Sequence, residues 1–103
     1  MVENLNDVNF EDEIKKGIVL VDFGANWCPP CRAVTPIIEK IAEEAVGFKV
    51  VKVDIDESPK TSMKYMIKSV PTFLVFKKGN LVKKEIGAIL QKQFFLDLVK
   101  DFI

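Results

Sequence analysis

Apolar side chains fall along this chain in two rhythms: short continuous runs, and spacings of three and four. Ile18, Val19, Leu20, Val21 and Phe23 form a β-branched and aromatic run interrupted only by Asp22. Such a run suits a strand buried on both faces of a partly parallel sheet. Residues 48–54 alternate apolar and charged side chains, which predicts a second long strand. Residues 72–76 predict a third, and Lys77-Lys78-Gly79-Asn80 a hairpin turn into a returning strand over 81–86. Residues 2–5 are a weaker strand candidate.

The helical rhythm appears between these runs. Residues 7–16 read as a short helix with Val8, Phe10 and Ile14 apolar and Glu11, Asp12 and Glu13 acidic, ended by Gly17. Residues 29–46 read as a longer one. Val34, Ile38, Ile41, Ala42 and Ala45 make its buried stripe, and Arg32, Glu39, Lys40, Glu43 and Glu44 face water. Pro36 lies inside it and predicts a kink, because it offers no N–H to the carbonyl of Arg32. Gly47 breaks the helix, and residues 58–66 suggest another short one. The tail sets Leu90, Phe94, Phe95, Leu98, Val99, Phe102 and Ile103 on one helical face.

The predicted order is β-α-β-α-β-α-β-β-α. This is an α/β chain with a central mixed sheet of four to five strands and helices on both faces. The β-α-β units imply parallel pairing with right-handed crossovers, and the last hairpin implies an antiparallel edge.

The 103 residues suit a single domain over 1–103 with a core of its own, and no repeat or linker interrupts them. Fifteen basic and fifteen acidic residues give zero formal net charge, so no basic footprint for nucleic acid is expected. Partner recognition must then be short-range and largely apolar. Met1-Val2-Glu3-Asn4 shows no basic n-region or apolar h-region, and no apolar stretch approaches a membrane span. A cytoplasmic location without membrane attachment is the expectation.

Two cysteines and no histidine narrow the chemistry. Catalysis by Cys-His or Ser-His-Asp arrangements is excluded, as are zinc sites that need imidazole. A four-thiolate metal or iron–sulfur centre would need two chains.

Trp27-Cys28-Pro29-Pro30-Cys31 lies between the buried strand and the proline-bearing helix. Residues three apart share a helix face, at a separation that suits a disulfide. A residue before proline avoids the α region, so Cys28 takes the N-cap position with Pro29 at N1 and Pro30 at N2. Neither proline has an N–H, and the first backbone donor left for the Cys28 sulfur is that of Cys31. A cysteine at a helix N-terminus is more acidic than a free thiol. Position then assigns the roles: Cys28, expected to be exposed, as nucleophile, and Cys31, one turn deeper, as the resolving thiol. A structural disulfide, inert buried thiols and a metal half-site remain open readings of the same pair.

Asp22 is the second anomaly, because a carboxylate within a run of Val, Leu and Phe is costly unless paired or protonated. It is placed to exchange the proton that Cys31 must lose and regain. Lys52, in the next strand, is a candidate counter-charge. The open alternatives are an acid at a strand end turned to water and an ordinary solvated lysine.

With these residues placed, the chain resembles the thioredoxin family over essentially its whole length. The resemblance is carried by Val21-Asp22-Phe23, Ala25, Trp27-Cys28, Pro30-Cys31, Pro36, Lys52, Asp54, Asp56, Val70-Pro71-Thr72, Gly79 and Gly87-Ala88. It implies the thioredoxin fold and dithiol–disulfide exchange at Cys28 and Cys31. Asp22 corresponds to the family's buried acid, Lys52 to its partner, and Pro71 to its cis-proline facing the cysteines. It also implies an apolar docking surface of Trp27, Val70, Pro71, Gly87 and Ala88, with the Val70 backbone pairing with bound substrate like a short added strand.

Three departures stand out. Pro29-Pro30 replaces the common Gly-Pro, a feature similar to tryparedoxins and to membrane-anchored reductases that mature cytochromes. Gly24 stands where a large aromatic is usual, which loosens the expected packing behind the cysteines. Leu90 stands where a serine often caps the last helix.

The functional expectation is a monomeric protein-disulfide reductase with no bound cofactor. It would be recharged by a thioredoxin reductase-like protein and act on disulfide-containing substrate proteins. The alternatives are a dedicated oxidase or isomerase, a tryparedoxin-like carrier, a non-catalytic binding module, and a dimer sharing a metal centre.

Overall fold

The computed structural model describes residues 2–103. Five strands form one mixed sheet: β1 (Glu3–Leu5), β2 (Ile18–Gly24), β3 (Lys49–Asp54), β4 (Thr72–Lys77) and β5 (Asn80–Ile86). Four helices alternate with them: α1 (Phe10–Glu13), α2 (Pro29–Glu44), α3 (Pro59–Lys64) and α4 (Lys92–Lys100). The strand order is β1-β3-β2-β4-β5, so the apolar run of β2 lies in the middle.

Strand alternation divides the core. Leu20 and Ile18 of β2, Val50 of β3 and Phe73 and Val75 of β4 point to one face, where α2 supplies Val34, Ile38 and Ile41 and α4 supplies Phe95, Leu98 and Val99. Val19, Val21 and Phe23 point to the other face and pack with Phe10, Ile14, Val51, Val53, Leu74 and Phe76. Asp22 and Gly24 share the parity of Leu20 and therefore face α2.

The pairing differs from expectation at β4. β1 and β2 lie parallel to β3, but β4 runs antiparallel to β2, in addition to the expected antiparallel β4–β5 hairpin. The reason is the size of α3. Its six residues span about 9 Å, against about 20 Å for a strand of equal residue number. It therefore does not carry the chain back along the sheet, and β4 starts near the end where β2 and β3 finish. This brings the Val70-Pro71 bend beside the start of α2.

Smaller corrections concern helix ends. Helix α1 is confined to four residues, and Val8 is 91% exposed rather than part of an apolar face. The segment around it is instead held by polar contacts: Asn6 Oδ1 accepts from the Val8 N–H, and the Asp7 carboxylate accepts from the N–H groups of Lys60 and Thr61. Helix α2 ends at Glu44, with Ala45 already extended, and it passes Pro36 without a break. Leu90 precedes α4 and is exposed, as is Ile103 beyond its end. Gln91 occupies the N-cap of α4 without a side-chain cap bond, and burial of Phe95, Leu98 and Val99 anchors the helix instead.

Candidate active site

Cys28 is the N-cap of α2, with φ −98° and ψ 107°. Both prolines fall in the first turn, and the Cys31 N–H donates to the Cys28 sulfur at 3.3 Å. This is the single cap donor that the two prolines leave. Cys28 and Cys31 are joined as a disulfide with Cα atoms 5.3 Å apart. The turn before the helix is closed by the Cys28 N–H donating to the Ala25 carbonyl at 3.2 Å.

The expectation that Cys28 is exposed is not met: Cys28 is 3% and Cys31 7% exposed. The cause is a long-range contact. Both cysteines pack with Ala25, and Ile55 and Val70 close over them. The Cys28 sulfur lies 3.8 Å from the Val70 carbonyl oxygen. Depth therefore does not separate the two sulfurs; their positions on the helix end do.

The Val70–Pro71 peptide bond is cis. The Pro71 carbonyl accepts from the Gly87 N–H at 2.9 Å, which holds the bend after β5 against the bend before β4. Gly87 has φ +114°, a conformation that L side chains rarely adopt. Trp27 is 64% exposed, and its indole Nε1 donates to Asp56 Oδ2 at 2.8 Å. Cys28, Cys31, Val70, Pro71 and Gly87 are thus linked by direct contacts. Ala88 is exposed next to Gly87 and no hydrogen bond ties it to the cysteines.

Asp22 lies behind Cys31 on the α2 face of the sheet and is 3% exposed. Its carboxylate has no hydrogen-bond partner among the described residues. Burial pushes it up to about 6 from an ordinary 3.8, against the opposing pull of Lys52. Lys52 pairs with Asp22 in the β2–β3 register. Its ammonium, however, makes no ion pair among the described residues and reaches Thr35 Oγ1 at 3.5 Å. Lys52 therefore acts on Asp22 through space rather than as a bonded counter-ion.

A cavity of about 290 Å³ opens beside these groups, lined by Asp22, Gly24, Cys31, Arg32, Thr35 and Lys52 among others. A Cβ built on Gly24 would sit 3.4 Å from Cys31 Cβ, 3.5 Å from its sulfur and 3.8 Å from Asp22 Oδ1. The missing side chain leaves space directly against the Cys31 sulfur. Asp56, which carries part of the resemblance, and Arg32, expected only to face water, are also neighbours of the site. The Asp54-x-Asp56 spacing after a strand was the available signal, since an Asp side chain often bonds the backbone two residues on. Here Asp54 Oδ1 accepts from the Asp56 N–H at 2.8 Å.

A reversible cysteine pair at the N-terminus of a helix, under a cis-proline bend in a mixed α/β sheet, defines a thiol–disulfide oxidoreductase. The family model described as Thioredoxin matches residues 1–101. The thioredoxin of Listeria monocytogenes is 46% identical over 88 residues, covering 84% of this chain and 85% of its own. That of Chlamydia pneumoniae is 41% identical over 99 residues, covering 96% of each. Among solved structures, a single-residue mutant of a thioredoxin from Halobacterium salinarum NRC-1 superposes with TM-score 0.86 at 30% identity, over 97% of this chain and 90% of that one. The chain belongs to the thioredoxin family, and its activity is that of a protein-disulfide reductase.

Proposed function

We propose that residues 1–103 act as a single monomeric domain in which Cys28 and Cys31 divide the exchange between them. The reduced Cys28 thiolate attacks one sulfur of a substrate disulfide. A mixed disulfide forms and the other substrate sulfur leaves as a thiolate. Cys31 then loses its proton and attacks the Cys28 sulfur, which releases the reduced substrate and leaves the intramolecular disulfide. Asp22 serves as a positioning and proton-accepting group behind Cys31, and Lys52 moderates its charge.

The reading is carried by one observation: the N-cap sulfur of α2 takes the Cys31 N–H and lies against the Val70 carbonyl. Trp27, Val70, Pro71, Gly87 and Ala88 supply the surrounding apolar surface for an extended substrate segment. Two electrons per cycle come from a separate thioredoxin reductase-like partner, and the two sulfurs are the only redox groups the cycle uses. Both cysteines are committed to one exchange pair rather than to a stapled scaffold, which suits a reducing compartment such as the cytoplasm. No helix among the described residues is long and apolar enough to cross a membrane.

A redox titration with fragment mass analysis tests this reading. A single two-electron transition confined to the Cys28 and Cys31 bond is expected, with turnover of a protein disulfide. A pair that stays oxidised under strong thiol excess would reduce it to a structural staple.

A further inference from the structure

We propose that Thr72 is a positioning residue for substrate docking: its hydroxyl holds the bend over residues 69–72, so that the Val70 backbone keeps its place against Cys28. The proposal rests on the docking role given to Val70 above and adds what fixes that backbone.

Thr72 opens β4 and is 1% exposed. Its register partners are Phe23 in β2 and Ile86 in β5, both apolar. Valine has nearly the same shape and suits such a place in a sheet, as Val75 does in the same strand. A buried hydroxyl is costly there unless it is bonded. The Thr72 hydroxyl is bonded: it donates to the Ser69 carbonyl at 2.7 Å.

That bond reaches a stretch of chain with few others. On one side, the Ile67 N–H donates to the Ser62 carbonyl at 2.9 Å. On the other, the Pro71 carbonyl accepts from the Gly87 N–H at 2.9 Å. Between these anchors, no backbone–backbone hydrogen bond involves Lys68, Ser69 or Val70 among the described residues. The Thr72 side chain is therefore the polar tie on this span, one residue from the Val70 carbonyl that lies 3.8 Å from the Cys28 sulfur.

A side-chain tie suits the task better than strand pairing would. A neighbouring strand would fix the span but would occupy the Val70 N–H and carbonyl. Those are the groups that an extended substrate segment pairs with. The threonine holds the bend from behind and leaves them free.

Ser69 is exposed. Without the hydroxyl, its carbonyl turns to water at small cost, and the span loses order more than the protein loses stability. Substrate must then order the span as it binds, which weakens docking without touching the sulfurs.

The test is turnover of insulin disulfides with dithiothreitol as reductant. Each insulin disulfide reduced leaves one dithiothreitol oxidised to its cyclic disulfide. Thr72→Val is expected to raise KM for insulin by about fivefold with kcat within about twofold of the parent. Thr72→Ser keeps the hydroxyl and should return KM to near the parent value. Thr72→Ala and Thr72→Ser lack the same methyl group and differ by the hydroxyl alone, so this pair carries the test if the valine variant does not fold. Thermal unfolding of each variant sets an assay temperature at which all are folded. A KM that follows the methyl group, or stays at the parent value without the hydroxyl, overturns the proposal and leaves Thr72 a structural residue. A fall in kcat at unchanged KM overturns it as well. Absence of insulin turnover by the unaltered chain would instead strike the exchange reading, and this proposal with it.

Discussion

The indole Nε1 of Trp27 donates to Asp56 Oδ2 at 2.8 Å, tying the residue before Cys28 to the loop after β3. Asp56 is itself fixed, because its N–H donates to Asp54 Oδ1. An exposed aromatic ring next to Cys28 is thus held by a hydrogen bond without being buried.

Asp56→Ala should free that ring. The expected result is a severalfold rise in KM for a protein disulfide with little change in kcat, a shift in Trp27 fluorescence, and a stability loss within about 1 kcal/mol. Asp56→Asn retains an acceptor oxygen and should restore most of the affinity. Equal KM values for the alanine variant and the parent would deny the ring a docking role.

Cys28→Ser should abolish protein-disulfide turnover, whereas Cys31→Ser should accumulate mixed disulfides with substrate through Cys28. Mass analysis of the trapped species checks the assignment. Stable adducts at Cys31 in the Cys28 variant, with none at Cys28 in the other, would reverse the roles.

Asp22 gives stability a pH dependence of definite sign. The folded state holds its proton up to about 6, the unfolded chain only to about 3.8. Below the lower value both states are protonated and nothing is lost. Between the two values stability falls as pH rises, and at pH 7 the full cost of about 3 kcal/mol is present. Asp22→Asn should therefore stabilise the protein at pH 7 by up to that amount and by little at pH 4, while slowing the resolution step. Denaturant titrations at the two pH values decide it; the same gain at both would mean that charge burial is not the cause.

Pro30→Ala returns an N–H to the second position of α2, where the cap of Cys28 has only the Cys31 donor. A second donor stabilises the thiolate, so alkylation of the reduced protein at pH 6 should quicken severalfold. Pro29→Ala returns a donor at the first position, from which the cap sulfur is poorly reached, and should change the rate less. If the two variants behave alike, helix-end donors do not control the reactivity.

Legibility followed sequence distance. The buried run of β2, the glycine stops at 17 and 47, the N-cap role of Cys28 and its lone donor could all be read, because each depends on neighbours within a few residues. The orientation of β4 could not, since it is decided by how far the short α3 carries the chain. Nor could the burial of Cys28, which comes from Val70, 42 residues away in sequence. The bond from Trp27 to Asp56 crosses 29 positions and left no periodic trace. The apolar rhythm that includes Val8 and Leu90 outruns helices α1 and α4, because turn and loop contacts hold the chain there instead. The cavity was foreshadowed by Gly24 alone, as a missing aromatic, and its lining from β2, β3 and α2 became apparent only once those elements were assembled.

The antiparallel insertion of β4 has a lasting consequence for how such a protein diversifies. The sulfur pair at the start of α2 and the Val70–Pro71 bend before β4 lie far apart in sequence and meet only where the sheet folds them together. Under the function proposed above, substitutions around residue 70 redirect the molecule toward new clients while leaving the sulfur pair as it is. Changes between the cysteines can retune reactivity without altering which clients are received.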